Sequence, residues 1–211
     1  MFKCILIIII GVAVILVIFY LSDKNLMIPF LSLTPFPLSS GDIRQNKNIP
    51  LANAKSRIIK KTFGLFISPQ NSPVSPEKFT GYHTGTDFEI FPGEENKDVS
   101  VYALCDGKLI LKKHATGYGG VAVQECMLDK QEVTVVYGHL KLASIVSVEG
   151  AVLKRGDMLG ILGKGFSTET DGERKHLHLG IYKGVIVNIL GYVQKSSELS
   201  SWLDPAKFLL W

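Results

Sequence analysis

Two histidines stand one residue apart in the stretch KHLHLG, residues 175–180, of a chain that contains only five histidines. If this stretch is a β-strand, His176 and His178 point to one face of it, and the two leucines point to the other. Burying two imidazoles without partners is costly, so a buried pair requires a metal ion or another polar partner. An exposed strand face would avoid that cost, and the pair alone leaves both interpretations open.

Two further stretches place histidines in chemically suggestive contexts. In GYHTGTDFEI, residues 81–90, His83 precedes Asp87 by four residues. Gly85 between two threonines disfavours a helix, so a tight loop entering a strand must bring the two side chains together, and glycine permits that close fold. In EVTVVYGHL, residues 132–140, His139 shares a strand face with Tyr137 by period 2 and would lie at a strand end.

These residues together have the composition of a catalytic metal site. His83, Asp87 and one histidine of the pair supply three nitrogen and oxygen ligands, the number expected for a catalytic zinc ion that keeps its fourth position for water. Such a centre polarises a carbonyl group and lowers the pKa of its bound water. The two remaining histidines would then serve as a general base and as donors to a developing oxyanion.

The elements that must position these residues are predominantly strands. From about residue 56, short apolar runs alternate with Gly, Asp and Pro, which predicts a single all-β domain of antiparallel strands, sandwich or barrel-like. Cys105 and Cys126 lie in two of the predicted strands. We expect two separate buried thiols there, with a disulfide bridge as the alternative.

The N-terminus has a different character. Residues 4–21 contain no charged residue and would span roughly 27 Å as a helix, close to the ~30 Å hydrocarbon thickness of a bilayer. We predict a membrane anchor at residues 1–22, with a cleaved secretory signal as the alternative, then a flexible tether at 23–55 and the folded domain at 56–211. The formal charge is +4, and no basic cluster with interleaved aromatics indicates nucleic-acid binding.

Three motifs, YHTGTD, VVYGHL and HLHLGI, occur in that order and resemble the lysostaphin and LytM family of zinc metallopeptidases, which cut peptide cross-links of bacterial cell walls. The resemblance extends over roughly residues 61–209. It implies that His83, Asp87 and His178 bind one zinc ion and that His139 and His176 are catalytic. It also implies an antiparallel two-sheet β fold of the duplicated hybrid motif type, with the site in a groove.

The resemblance and the N-terminal segment together predict a membrane-anchored zinc endopeptidase. It would act outside the cytoplasmic membrane on stem peptides or cross-bridges of peptidoglycan, or be secreted if the N-terminal segment is cleaved. The alternative is a catalytically silent scaffold that binds the wall or regulates wall hydrolases. A histidine phosphocarrier of similar barrel architecture is disfavoured, because the anchor would place it on the wrong side of the membrane.

The sequence departs from the family pattern in one segment. The family commonly has a short Ser-Thr-Gly-x segment before the His-x-His motif, whereas this chain has GFSTETDGERK at residues 165–175. We expect this longer loop to border the groove and to influence substrate preference. Some family members use a tyrosine to stabilise the transition state; Tyr82 and Tyr137 are candidates here only by their proximity to the motifs.

Overall fold

The computed structural model describes residues 49–209, and this part of the chain is built mainly of short β-strands. Its one described α-helix is a single turn, α1 (Ala54–Arg57), and four short 3-10 segments lie in the connections. The described strands, in chain order, are β1 (Phe66–Ile67), β2 (Gly81–His83), β3 (Gly85–Glu89), β4 (Ser100–Tyr102), β5 (Gly107–Ala115), β6 (Gly119–Leu128), β7 (Gln131–Gly138), β8 (Val152–Leu153), β9 (Met158–Ile161), β10 (His176–Lys183), β11 (Tyr192–Val193) and β12 (Trp202–Leu203).

The strands form three antiparallel sheets. The largest has seven strands in the order β12-β10-β7-β6-β5-β8, with β3 also paired to β10. A second sheet contains β1, β2 and β11, and β4 pairs with β9. The predicted all-β antiparallel class is therefore confirmed. The strands described do not close into a barrel, and they divide into three sheets rather than the two expected, because β1, β2 and β11 pair only with one another and β4 pairs only with β9.

Strand β10 is the centre of the arrangement. One of its edges pairs with β7, and its other edge is shared by β3 near the start and β12 near the end. In the pairing with β3, His178 lies directly opposite Asp87. In the pairing with β7, His178 lies opposite Gly138, the residue before His139. Strand pairing alone thus gathers residues from three sequence motifs at one end of β10.

The main hydrophobic core lies on one face of the large sheet. Leu177 and Leu179 from β10 are fully buried in it, together with side chains from β4 and β9. Leu51 and Ala54 also belong to this core, although they lie within residues 23–55, the segment predicted as a tether. Packing against the sheet therefore begins before residue 56, because these two apolar side chains are covered by the domain.

The two cysteines of the domain form a disulfide bridge. Cys105 lies just before β5, and Cys126 lies in β6 opposite Gly107, which brings their Cα atoms to 6.3 Å. Both residues are buried. The expectation of two separate thiols is wrong, because the β5–β6 pairing places the two chain positions within bridging range.

Removing this bridge should lower stability substantially. The bridge closes a segment with a sequence separation of 21, for which loop-closure entropy predicts a contribution of about 3 kcal/mol. We expect the double variant Cys105→Ala/Cys126→Ala to lose about that much unfolding free energy in urea titrations. Wild-type protein unfolded in the presence of a reductant should lose a similar amount. An unchanged denaturation midpoint in both experiments would contradict a bridged native state.

The predicted N-terminal membrane helix and most of the predicted tether lie outside the described residues. Within residues 49–209, no helix has the length and apolar character needed to cross a bilayer.

Candidate metal centre

Alternate residues of β10 lie on opposite faces of the large sheet, as the spacing predicted. Leu177 and Leu179 enter the core, and His176 and His178 line a cavity on the opposite face. Both imidazoles are nearly inaccessible to solvent, with 2% and 4% of the residue surface exposed. The exposed-face alternative is therefore wrong, and the two rings require polar partners.

His83 and Asp87 are brought together by a change of sheet. His83 ends β2, Asp87 lies in β3, and Thr84 between the strands donates from its backbone N–H to the carbonyl of Gly191 at 3.0 Å. A Cβ atom on Gly85 would lie 2.3 Å from the carbonyl oxygen of Leu179, so only glycine allows β3 to approach β10 this closely. The predicted tight connection is thus confirmed, and its glycine has a specific packing reason.

Three donor atoms converge in the space between these strands. His83 Nε2 lies 3.0 Å from His178 Nδ1 and 3.3 Å from Asp87 Oδ1, and His178 Nδ1 lies 3.2 Å from the same carboxylate oxygen. Among the described residues these three form the group of side chains that could hold a metal ion. A tetrahedron with zinc–ligand bonds of about 2.0 Å has edges of about 3.3 Å, so the three atoms lie at slightly contracted corners of such a site.

The hydrogen bonding around the triangle also fits a cation. His83 Nδ1 lies 3.2 Å from the carbonyl oxygen of Thr62, to which it donates, so the neutral ring presents Nε2 as a lone pair. Two imidazole nitrogens and a carboxylate oxygen then face one another in a buried space. A divalent cation between them satisfies all three acceptors, and the set of two histidines and one carboxylate leaves a fourth zinc position open.

His139 reaches the same cavity by leaving the strand pattern. Continued alternation along β7 would send it to the core with Tyr137, but its φ of 62° turns the backbone after Gly138. Its ring lies 4.2 Å from that of His176 between centroids. The predicted strand-end position is confirmed, whereas the predicted shared face with Tyr137 is wrong because of this left-handed turn.

His176 is held by two contacts. Its Nδ1 donates to the carbonyl of Arg174 at 2.8 Å, and its Nε2 faces Asp87 Oδ2 at 3.3 Å. The neighbouring His139 has a buried Nδ1 without a hydrogen-bond partner among residues 49–209. The structure thus brings all five predicted site residues together, in two sets: three whose donor atoms form the triangle and two imidazoles beside it.

The environment sets the protonation states that such a site requires. Burial holds the pKa of His139 well below its ordinary value, with a further lowering from the charge of His176. Burial likewise lowers the pKa of His178 to about 4. Burial opposes ionisation of Asp87, but the imidazoles of His176 and His83 and the hydrogen bonds around it outweigh this and hold its pKa well below normal. At neutral pH the carboxylate is ionised and His139 and His178 are neutral, as metal binding and base catalysis demand.

Two tyrosines that the sequence motifs did not indicate line the cavity. The ring centroid of Tyr118 lies 5.5 Å from that of His139 and 5.3 Å from that of His178, and its buried hydroxyl has no partner within the described range. Tyr118 lies in the glycine-rich turn between β5 and β6. A Cβ atom on residue 138 would lie 2.4 Å from the ring of Tyr118, so this position requires glycine. Gly138, which precedes His139, is the only feature of the sequence that indicates the contact.

The second tyrosine, Tyr192, forms part of a buried polar network. Its hydroxyl accepts a hydrogen bond from Lys61 Nζ at 3.0 Å, and Lys61 is paired with Glu77 at 2.5 Å. Its ring stacks on Phe79 and lies 5.2 Å from the ring of His83. Burial raises the pKa of Tyr118 and of Tyr192, with Asp87 adding to the effect, so both hydroxyls remain protonated donors. The tyrosines suggested by proximity lie elsewhere: Tyr137 is in the core, and Tyr82 packs on Phe66.

The cavity beside the triangle has a volume of about 350 Å³. Its walls combine four of the five site residues, all but His83, with aromatic, aliphatic and charged side chains: Lys61, Phe79, Tyr118, Glu173, Arg174, Ile189, Leu190 and Tyr192. This mixture of apolar walls and a few convergent polar groups is typical of a ligand-binding cleft.

The long loop at residues 165–175 borders this cavity, as predicted. It contains a short 3-10 segment, Thr168–Thr170, and is tied to the β5–β6 turn because the Asp171 carboxylate accepts from the Gly117 N–H at 2.6 Å. Only the C-terminal end of the loop, including Arg174, contributes to the cavity wall. The loop therefore leaves space for a ligand beside the histidines.

Comparison with known proteins places this chain in a family. The sequence profile of Peptidase family M23 matches residues 81–189, which is more than half of the 211-residue chain and includes all five predicted site residues. No curated protein matches the sequence significantly.

Several solved structures resemble the chain at low sequence identity. LytU is 21% identical, with 71% of this chain and 84% of that one covered and a TM-score of 0.46. CbpA from L. salivarius REN is 21% identical, with coverages of 76% and 92% and a TM-score of 0.48. A candidate glycyl-glycine endopeptidase, LytM, from Ruminococcus gnavus is 22% identical, with coverages of 75% and 63% and a TM-score of 0.42. The profile match, which covers the three motifs read from the sequence, shows that the chain belongs to Peptidase family M23.

Proposed function

We propose that this M23 peptidase is a zinc endopeptidase that hydrolyses peptide bonds of bacterial peptidoglycan, with one zinc ion per chain. The observation that carries the proposal is the triangle of His83 Nε2, Asp87 Oδ1 and His178 Nδ1, with edges of 3.0–3.3 Å, beside two further buried imidazoles. The family supports peptide hydrolysis, and the donor set supports the metal.

His83, Asp87 and His178 would hold the ion. When bound, zinc supplies Lewis-acid polarisation of the scissile carbonyl and of water. His139, neutral because burial lowers its pKa, would accept the proton of the attacking water. His176, whose Nδ1 donates to the Arg174 carbonyl, would direct Nε2 towards the reacting group, where it accepts a hydrogen bond as the neutral ring and donates one as the protonated ring.

The remaining cavity wall suits an extended peptide. The hydroxyl of Tyr192 already accepts from Lys61, so its own proton is free for an acceptor such as a peptide carbonyl. The Tyr118 hydroxyl, buried and without a partner among the described residues, offers a second donor. Phe79 and Ile189 supply apolar surface beside these donors. Such a cleft would bind peptide backbone and small apolar side chains together.

We further propose that the enzyme works outside the cytoplasmic membrane. Residues 1–22 would anchor the chain or act as a secretory signal, residues 23–55 would form the tether, and residues 56–211 would contain the peptidase domain. The bridge between Cys105 and Cys126 supports this location, because disulfides persist in oxidising compartments. A protein partner that activates the enzyme would also have to lie outside the cytoplasmic membrane.

The catalytically silent scaffold has less support. A protein that only binds the wall does not need five buried polar residues held around one small space. Here all five site residues are buried, and the donor atoms of His83, Asp87 and His178 converge. Burying such a set costs stability unless hydrogen bonds or a bound ion satisfy it.

Digestion of purified peptidoglycan tests the proposal. The full chain, kept in detergent because of its apolar N-terminal segment, should release fragments whose mass spectra show a new amino and a new carboxyl terminus at one peptide bond. A chelator should stop the release, and added zinc should restore it. Intact wall peptides after prolonged incubation with zinc-loaded protein would contradict the proposal. Defined stem peptides and cross-bridges would then identify the bond.

A further inference from the structure

The C-terminal end of the long loop places an arginine against the candidate metal centre. Arg174 precedes β10 by two residues, and its side chain is 13% exposed. Its Nη2 donates to Asp87 Oδ2 at 2.8 Å and to Glu89 Oε1 at 2.5 Å, while its Nε lies 3.0 Å from both oxygens of Glu89. One guanidinium group thus links two neighbouring carboxylates.

The two oxygens of Asp87 have different surroundings. Oδ1 faces His83 Nε2 and His178 Nδ1 at 3.3 and 3.2 Å. Oδ2 faces away from the triangle, towards Arg174 and His176. Arg174 therefore donates a hydrogen bond to Oδ2, and Oδ1 remains the oxygen that faces His83 and His178. Without this contact the carboxylate could rotate about its Cβ–Cγ bond, because that torsion is soft.

Glu89 fixes the arginine in turn. It lies two residues beyond Asp87 on the same face of β3, opposite His176 in the strand register. Its carboxylate is buried, with 5% of the residue exposed, and also receives Lys60 Nζ at 3.5 Å. A planar guanidinium with a rigid fork of donors can satisfy both acids at once, which a single ammonium group cannot do with the same geometry.

We propose that Arg174 is a positioning residue of the metal centre: it holds Asp87 so that a single carboxylate oxygen is directed at the zinc position. This rests on the proposed zinc site. The same residue also orients His176, whose Nδ1 donates to its backbone carbonyl. The departure of the loop at residues 165–175 from the family pattern thus has a structural role at the metal centre. Hydrogen-bond partners of ligating carboxylates typically contribute 10–100-fold to metal affinity.

Zinc affinity of the full chain in detergent tests this role, measured by competition with a chromophoric chelator. We expect Arg174→Lys and Arg174→Ala each to bind zinc about 10–100-fold more weakly than wild type. Glu169→Gln is the matched control: it removes a negative charge of the same loop, whose carboxylate accepts from the Lys164 N–H at 2.8 Å, without a contact to Asp87. Its affinity should stay within about twofold of wild type, since its effect would reach the metal only indirectly.

The lysine variant separates positioning from charge. If Arg174 merely balances two carboxylates, Arg174→Lys keeps wild-type affinity and Arg174→Ala binds the cation more tightly, and either result would overturn the proposal. Visible spectra of the cobalt-substituted proteins give a second readout. They should change in Arg174→Lys and not in Glu169→Gln, because they report the arrangement of the ligands.

Two failures can be told apart. If wild type itself does not bind zinc, the proposed function fails and this inference fails with it. If wild type binds one zinc and both Arg174 variants bind it equally well, only the positioning role is wrong. Should Arg174→Ala not fold, Arg174→Lys alone decides, because it preserves the positive charge between the two buried acids.

Discussion

Replacing His178 by alanine should abolish metal retention and peptide hydrolysis in the same variant. His178 Nδ1 makes two of the three edges of the donor triangle, at 3.0 Å to His83 and 3.2 Å to Asp87. Without it, one histidine and one carboxylate remain, too few for a site that keeps an open position. We expect zinc content after gel filtration to fall from one per chain to near zero and kcat/KM to fall by at least about 10³-fold.

The same experiment on Asp87→Ala should have the same outcome, because Asp87 supplies the remaining corner of the triangle. His114→Ala is the matched control. His114 is exposed on β5 and lies outside the cavity, so its loss should alter neither zinc content nor rate. Full peptidase activity in a zinc-free His178→Ala protein would show that the triangle is not the catalytic metal site.

Replacing His139 by alanine should separate metal binding from catalysis. His139 lies beside His176 with its ring 4.2 Å away, and it has no part in the donor triangle. Loss of a positioned general base typically costs 10²–10⁴-fold in rate, so we expect kcat to fall by roughly that factor with zinc content unchanged. Zinc content and kcat measured on the same preparation decide the matter.

His176→Ala should behave similarly, since its Nε2 also points at the site without belonging to the triangle. A His139→Ala protein that loses its zinc would contradict the assignment, because it would place His139 among the ligands. A His139→Ala protein with wild-type kcat would remove it from the chemistry altogether.

Much of this site could be predicted because period-2 spacing determines strand faces. In KHLHLG the alternation of two imidazoles with two leucines places the two pairs on opposite faces of a strand, and the structure has the leucines in the core and the imidazoles at the cavity. The connection between His83 and Asp87 could also be predicted, since glycine at position 85 permits a close approach that no other residue allows.

The rest could not be predicted, because it depends on long-range pairing. Arg174 meets Glu89 across 85 residues of sequence, and Lys61 meets Tyr192 across 131. No local period indicates such contacts. The sheet face that His139 takes could not be predicted for another reason: its positive φ breaks the alternation that a sequence pattern assumes. The sequence favoured two separate thiols over the disulfide, and this prediction is wrong because bridging depends on a Cα separation that only the β5–β6 pairing sets.

Titration of the metal-free protein with zinc tests the central claim most directly. Chelator-treated full-length protein in detergent is supplied with zinc in steps, and hydrolysis of a peptidoglycan peptide is measured at each step. The donor triangle predicts no activity without zinc, a linear rise, and a plateau at one zinc ion per chain. Undiminished hydrolysis by protein shown to be free of metal would contradict the account.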